Sequence, residues 1–216
     1  MNRIGPGSIA AQREASIVET RRRANRLIPR LAATALLVPV APVIGLLALG
    51  VVVTMGRPIW FRQRRAGLGG TTFTLLKLRS MREATDRFGA PLPDEERVTA
   101  FGRFLRRSRL DELPGLISVV RGHMAFVGPR PLLPGTIVEL GARGVARGTV
   151  LPGLTGWAQV NGNTLLSLDE KIALDLWYAQ HRSWRLDLRI LARTALVMLG
   201  GERRSQPAVP PSPVTH

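Results

Sequence analysis

The chain has 216 residues and a formal net charge of +16, almost all of its positive charge being arginine, with lysine only at Lys77 and Lys171. That imbalance calls for an anionic partner, whether nucleic acid, phospholipid headgroups or a phosphorylated substrate, and the planar guanidinium fork leans toward phosphate. The absence of cysteine excludes disulfides, cysteine–zinc sites and thiol catalysis. One tyrosine and 5% aromatics leave few stacking platforms, and no zinc-finger or RNA-recognition pattern is present.

Residues 1–25 carry little pattern and read as a flexible N-terminus. From Leu31 to Gly56 the chain runs LAATALLVPVAPVIGLLALGVVVTMG without a charged side chain. As a straight helix this stretch would be roughly 39 Å long, enough for a hydrocarbon core of about 30 Å. It is too long, and starts too late, for a cleaved signal peptide. Pro39 and Pro42 sit near its middle, where each removes a helix hydrogen bond and favours a kink. Arginines flank both ends: Arg21, Arg22, Arg23, Arg26 and Arg30 before it, Arg57, Arg62, Arg64 and Arg65 after it. A proline-kinked spanning helix is the plain alternative. Positive charge on both sides instead favours a helix–break–helix over 26–56 that enters and leaves by the cytoplasmic face. The basic residues gather around this apolar run, which suits lipid headgroups better than nucleic acid.

Residues 57–201 read as one cytoplasmic domain. Between Pro58 and Met81 two apolar stretches, IWF and TFTLLKL, are split by AGLGGT, the pattern of a small β-hairpin. Asp86 to Glu96 is polar with Gly89, Pro91 and Pro93, a loop. In VTAFGRFLRRSRL, Val98, Phe101, Phe104 and Leu105 fall roughly on one helical face with arginines beside or opposite, as in a helix lying in the headgroup plane. An ordinary surface helix has the same pattern. Ser167 and Glu170 predict a capping box at the start of LDEKIALDLWYAQH, and Trp184 to Leu199 a final helix. The tail 202–216 is proline-rich and expected to be disordered. The fold class is mainly α with a small β-hairpin.

Three motifs carry chemistry. Asp111-Glu112 follows the arginine-rich helix and precedes Leu113-Pro114; such a pair is often a helix cap. Beside many arginines it can also hold a divalent metal and a phosphate together, and a carboxylate can itself attack phosphorus. In FVGPRP, Gly128 and two prolines fix a tight course that presents Arg130 rigidly, a good way to hold a phosphate. In PGLTGWAQVNG, a glycine-rich loop carries Gln159 and Asn161, either to wrap a ligand or merely to turn.

Taken together, the stretches GRPIWFRQRRAGLGGTTFTLLKLRSM, FGRFLRRSRLDELPGLISVVRGHMAFVGPRPL, LPGLTGWAQVNG and LDLWYAQHRSWRLDLRIL, with the proline-broken apolar segment, resemble the bacterial sugar transferase family. These are small monotopic phosphoglycosyl transferases that start glycan assembly on polyprenyl phosphate. The likeness runs in order over about residues 26–200. It implies a monotopic protein of the bacterial inner membrane, with a re-entrant helix broken at Pro39 and Pro42, interfacial amphipathic helices, and its catalytic domain on the cytoplasmic face. It further implies a magnesium-dependent ping-pong reaction in which Asp111 attacks the β-phosphorus of a UDP-sugar and releases UMP. The phosphosugar would stay on Asp111 until undecaprenyl phosphate displaces it, at the start of exopolysaccharide, O-antigen, capsule or glycoprotein glycan synthesis. Glu112 would help position magnesium or take part in proton transfer. Lys77, Arg79, Arg106 and Arg130 match basic positions of the family pattern and would contact phosphates; Gln159 and Asn161 would join them. A carboxylate pair facing a diphosphate suits a hard cation, Mg2+ with Mn2+ as a substitute, held at Asp111 and Glu112. Membrane lipids are expected partners and nucleic acid is not; downstream glycosyltransferases and self-association stay open.

Some positions depart from the pattern. Ala41-Pro42 stands where a Ser-Pro usually breaks the membrane helix, and Pro29 where an aspartate often pairs with the preceding basic residue. His123 occupies a usually acidic position and Asn163 a usually basic one. None of them touches the dyad. The rival reading is a non-catalytic membrane scaffold in which the dyad is a helix cap and the arginines bind lipid.

Overall fold

A computed structural model describes residues 6–85, 87–90 and 92–200, with only the backbone for 6–26 and 199. The expected disordered tail 202–216 lies outside the described residues. The chain opens with helix α1, Pro6–Met55, which runs on through Pro29, Pro39 and Pro42. Two expectations change here. The helix begins well before residue 26, because residues 8–28 hold neither glycine nor proline and are rich in good helix formers such as Ala, Arg, Glu and Leu. The two central prolines do not interrupt it either. Each removes one hydrogen bond, whereas a full break would leave several backbone groups without partners in an apolar setting. Leu27–Met55 is long and apolar enough to cross a membrane, and only 11% of its most apolar stretch is buried, unlike the core helix of a soluble domain.

The expected hairpin forms from β1, Trp60–Ala66, and β2, Thr72–Leu78, which pair antiparallel with Phe61 opposite Lys77, Gln63 opposite Leu75 and Arg65 opposite Phe73. Directly paired residues share a face and alternate along each strand. One face therefore carries Phe73 and Leu75, both buried, and continues into Lys77, Gln63 and Arg65. A short helix α2, Asp94–Arg97, then leads to α3, Ala100–Arg107, capped by the Thr99 side chain accepting from the Gly102 amide at 2.9 Å. Within α3, Leu105 is fully buried and Phe101 half-buried, whereas Phe104 faces outward at 50% exposure. A Cβ on Gly102 would meet the Ser80 carbonyl at 1.9 Å, so glycine lets α3 lie directly on the end of β2.

After α3 the chain turns at Arg109, which adopts a left-handed conformation (φ 55°), into a 3-10 turn, Leu110–Gly115, and helix α4, Leu116–Val120. Strand β3, Ala125–Val127, pairs in parallel with β4, Gly153–Thr155, across helices α5, Pro134–Glu139, and α6, Ala142–Arg147. A short helix α7, Trp157–Val160, is followed by α8, Leu168–His181, which opens with the expected capping box at Ser167 and Glu170, and by α9, Trp184–Gly200. Val127, Trp157, Leu174, Tyr178 and Ile190 form the main core. A second cluster joins Ala33 of α1 to Phe73, Leu75, Val119 and Met124, and a third joins Val51 of α1 to Leu78 and Leu105. Helix α1 thus docks on the globular body at both ends of its apolar stretch.

Candidate active site

One face of the hairpin, the 3-10 turn and the FVGPRP strap enclose a cavity of about 600 Å³. Its lining includes Phe61, Gln63, Arg65, Lys77 and Arg79 from the hairpin region, Arg106 and Arg109 from around the end of α3, the Asp111-Glu112 pair, Arg130, Asn163 and Thr164. With Arg82 and Arg97 this makes eight cationic side chains against three carboxylates, a funnel for a polyanion.

The two carboxylates of the dyad have different surroundings. Glu112 Oε1 accepts from Lys77 Nζ and from an Arg130 terminal nitrogen, each at 2.6 Å. Burial alone would push Glu112 up, but Arg130 and Lys77 together outweigh it and hold its carboxyl down to about 2. Asp111 is 9% exposed, and no hydrogen bond to its carboxylate forms among the described residues. Its pKa is raised, by burial first and by the adjacent Glu112 charge second, against the pull of Lys77, Arg130 and Arg106. One carboxylate is a fixed anion with committed partners and the other is unencumbered and more basic, the separation of roles that acid–base and nucleophilic sites rely on. Neither acid makes a capping hydrogen bond to the turn it sits in, which removes the cap as an account of the pair.

Of the basic residues expected here, Lys77 and Arg130 meet at Glu112, and Arg106 reaches the rim, with Nε donating to Ser80 Oγ at 2.8 Å. Arg79 also borders the cavity, but it is buried and its guanidinium donates to the carbonyls of Met55, Gly56 and Arg57, closing the end of α1. Gln159 and Asn161 are not among the cavity residues. Gln159 donates to the Leu154 carbonyl at 3.0 Å, while Asn161 donates to the Trp157 carbonyl at 2.7 Å and accepts from Arg193 at 2.9 Å. Their loop is glycine-rich because its backbone lies against the other glycine-bearing strap. A Cβ on Gly153 would sit 2.1 Å from the Gly128 amide nitrogen, and one on Gly156 2.1 Å from the Gly128 carbonyl.

Arg65 is the main residue that the sequence reading left out of the site. It donates to the Pro131 carbonyl at 3.0 Å and to Gln63. Its pKa is lowered, by burial first and then by Arg130, so the cavity holds two arginines whose mutual repulsion an anion would relieve. The signal was present: alternation along WFRQRRA puts Phe61, Gln63 and Arg65 on one face of the hairpin, the face that Lys77 shares. For a metal, the dyad offers Asp111 and Glu112 Oε2, and no group of three or more His, Asp or Glu is placed to hold a metal ion among the described residues. Two carboxylates with a bound diphosphate and water are the usual coordination of Mg2+, so the residues fit a cation shared with substrate.

The model of the bacterial sugar transferase family matches residues 20–201. The chain belongs to that family. It is 44% identical over 148 residues to the uncharacterized sugar transferase EpsL of Bacillus subtilis, covering 68% of this chain and 73% of that one. It is 40% identical over 188 residues to the UDP-glucose:undecaprenyl-phosphate glucose-1-phosphate transferase of Xanthomonas campestris, covering 82% of this chain but 39% of that longer protein. A third relative, 35% identical over 153 residues, is an N-acetylgalactosaminephosphotransferase of Aeromonas hydrophila acting on undecaprenyl phosphate, with 67% of this chain and 36% of that one covered. The protein is therefore a sugar transferase, and its exposed apolar helix fits the membrane association of an enzyme with such relatives.

Proposed function

We propose that this transferase moves a sugar 1-phosphate from a UDP-sugar to undecaprenyl phosphate through a covalent phosphosugar on Asp111. The observation that carries this is the asymmetry of the dyad: a buried Asp111 whose carboxylate has no hydrogen-bond partner among the described residues, beside a Glu112 already neutralised by Lys77 and Arg130. An Asp111 carboxylate oxygen attacks the β-phosphorus, the bond to the UMP oxygen breaks, and UMP leaves with the electron pair. An oxygen of the lipid phosphate then attacks the same phosphorus, the acyl phosphate bond breaks, and Asp111 returns as a carboxylate beside polyprenyl diphosphate sugar. Glu112 stays ionised at neutral pH, so it orders Lys77 and Arg130 and does not shuttle protons. Arg65, Arg106, Arg109 and Arg130 supply the charge that holds a diphosphate in the cavity. Mg2+ or Mn2+ bound at Asp111 and Glu112 would offset the charge of the diphosphate.

A cytoplasmic-face, monotopic placement is part of the same reading. Ala33 and Val51, at opposite ends of the apolar stretch, pack on the same globular body, whereas a span would put a hydrocarbon core of about 30 Å between those ends. A continuous α1 that bends at Pro39 and Pro42 while staying helical would return both ends to one side. The relatives' names point to glucose and N-acetylgalactosamine phosphates and to exopolysaccharide production, which supports glycan initiation as the setting. Purified protein incubated with undecaprenyl phosphate, Mg2+ and a panel of UDP-sugars should release UMP with at least one of them. Release with none would end the proposal.

A further inference from the structure

Behind the cavity lies a buried ion pair that the transfer chemistry does not use. Arg147, the last residue of α6, places Nε 2.8 Å from Asp175 Oδ2 on α8, and the two side chains are 5% and 4% exposed. Asp175 Oδ1 has no hydrogen-bond partner among the described residues. Such a pair is a poor stabilising device: both charges lose their hydration, and an apolar pair of similar volume often serves folding as well or better.

What an apolar pair could not do is reach the strap. A terminal nitrogen of Arg147 donates to the main-chain carbonyl of Arg130, the residue whose side chain grips Glu112 at 2.6 Å. The strap needs holding from outside, since Pro129 and Pro131 carry no amide hydrogen. Four successive carbonyls are taken: Pro129 by the Gly153 amide at 2.9 Å, Arg130 by Arg147, Pro131 by Arg65 at 3.0 Å, and Leu132 by the Ala66 amide at 2.9 Å. The Arg147 contact falls on the residue that matters to the dyad, and Asp175 fixes the orientation of the fork that makes it.

We propose, resting on the transfer described above, that Arg147 and Asp175 are positioning residues: a buried clamp that fixes the Arg130 backbone and so the place of its guanidinium on Glu112. Neither touches substrate. The polar connection runs from Asp175 Oδ2 through Arg147 to the Arg130 carbonyl, and from the Arg130 side chain to Glu112 and the cavity.

The test is Arg147→Met combined with Asp175→Leu in the full-length, detergent-extracted protein. The fold should persist, with a melting temperature within a few degrees of the parent, while kcat for UMP release falls about 10- to 100-fold and KM for the UDP-sugar changes less, since small misplacements of site groups have effects of that size. Amide hydrogen exchange in residues 125–132 should quicken while that of the hairpin, 60–78, stays put. On an Arg130→Ala background the same double change should add almost nothing, because there is no guanidinium left to position. A folded variant with unchanged kcat and unchanged exchange in the strap, or losses that multiply independently with Arg130→Ala, would overturn the clamp. If the double variant does not fold, Arg147→Lys is read by the same criteria; its single ammonium cannot bridge Asp175 and the Arg130 carbonyl as a fork does. Should the parent release UMP from no UDP-sugar, the transfer reaction is wrong, and hydrogen exchange in the strap still decides the clamp.

Discussion

Glu112 on the cavity wall and Asp175 in the core behind it are both carboxylates against arginine, yet their environments act in opposite directions. Glu112 is 21% exposed in its side chain and has two cations at 2.6 Å, so burial loses to charge and its pKa is held down to about 2. Asp175 is almost wholly enclosed and has one arginine and, among the described residues, one unpaired oxygen, so burial wins and its pKa is pushed up to about 6. Proximity to an arginine does not by itself stabilise a carboxylate; the number of donors, set against lost hydration, decides the sign. The wall is organised to hold negative charge in readiness for chemistry. The core pair bears charge at a cost and directs a neighbour.

The sharpest way to break that contrast is to remove carboxylates from each side in turn. Asp111→Asn keeps shape and hydrogen-bonding size but cannot form an acyl phosphate, and UMP release should fall by on the order of 10^4-fold or more. Retention of a substantial fraction of activity would rule out covalent catalysis by this residue. Chelation by EDTA should reduce turnover to background, with Mg2+ or Mn2+ restoring it; full activity in the chelator would leave the dyad with no metal to hold. Glu112→Gln removes the acceptor that gathers Lys77 and Arg130, and kcat/KM should drop about a hundredfold, less than at Asp111. Equal losses at the two positions would contradict the division of roles.

The smaller effect is on stability. Glu112 has a depressed folded pKa, so its contribution is present above about 4.5 and is lost as pH falls toward 2, an amount on the order of 3 kcal/mol. Asp175 has a raised one, so its contribution is fully present below about 3.8 and is lost as pH rises through about 6, of similar order. Thermal midpoints followed from pH 2 to 7 should therefore show opposite changes in slope. Glu112→Gln flattens the acid side below pH 4.5, and the Arg147→Met, Asp175→Leu pair flattens the decline between 4 and 6. Slopes identical to the parent would mean that neither group is held as described.

Legibility in the sequence followed the reach of the interactions. The hairpin, the Ser167 capping box and the final helix were readable because alternation, a cap and a period of 3.6 are local signals. Asp111, Glu112, Lys77 and Arg130 were also readable, through resemblance, and the fold does bring them together. Gln159 and Asn161, expected as ligand contacts, lie outside the cavity. A glycine-rich loop around a ligand and one around another backbone look the same in one dimension; the close approach of Gly128 to Gly153 and Gly156 is visible only in three. Arg79 was legible as a cation but not as the closure of a helix that ends 24 residues earlier. Arg147 and Asp175, 28 positions apart, gave no signal at all.

The account stands on a bond between Asp111 and phosphorus, and the direct measurement is intact mass after incubation with the accepted UDP-sugar and Mg2+, without lipid, followed by acid quench. The expected result is one sugar phosphate per chain on the peptide bearing Asp111, with one UMP released per chain, and neither in Asp111→Asn. UMP release that requires the lipid and leaves no adduct, or an adduct that survives in Asp111→Asn, would contradict it.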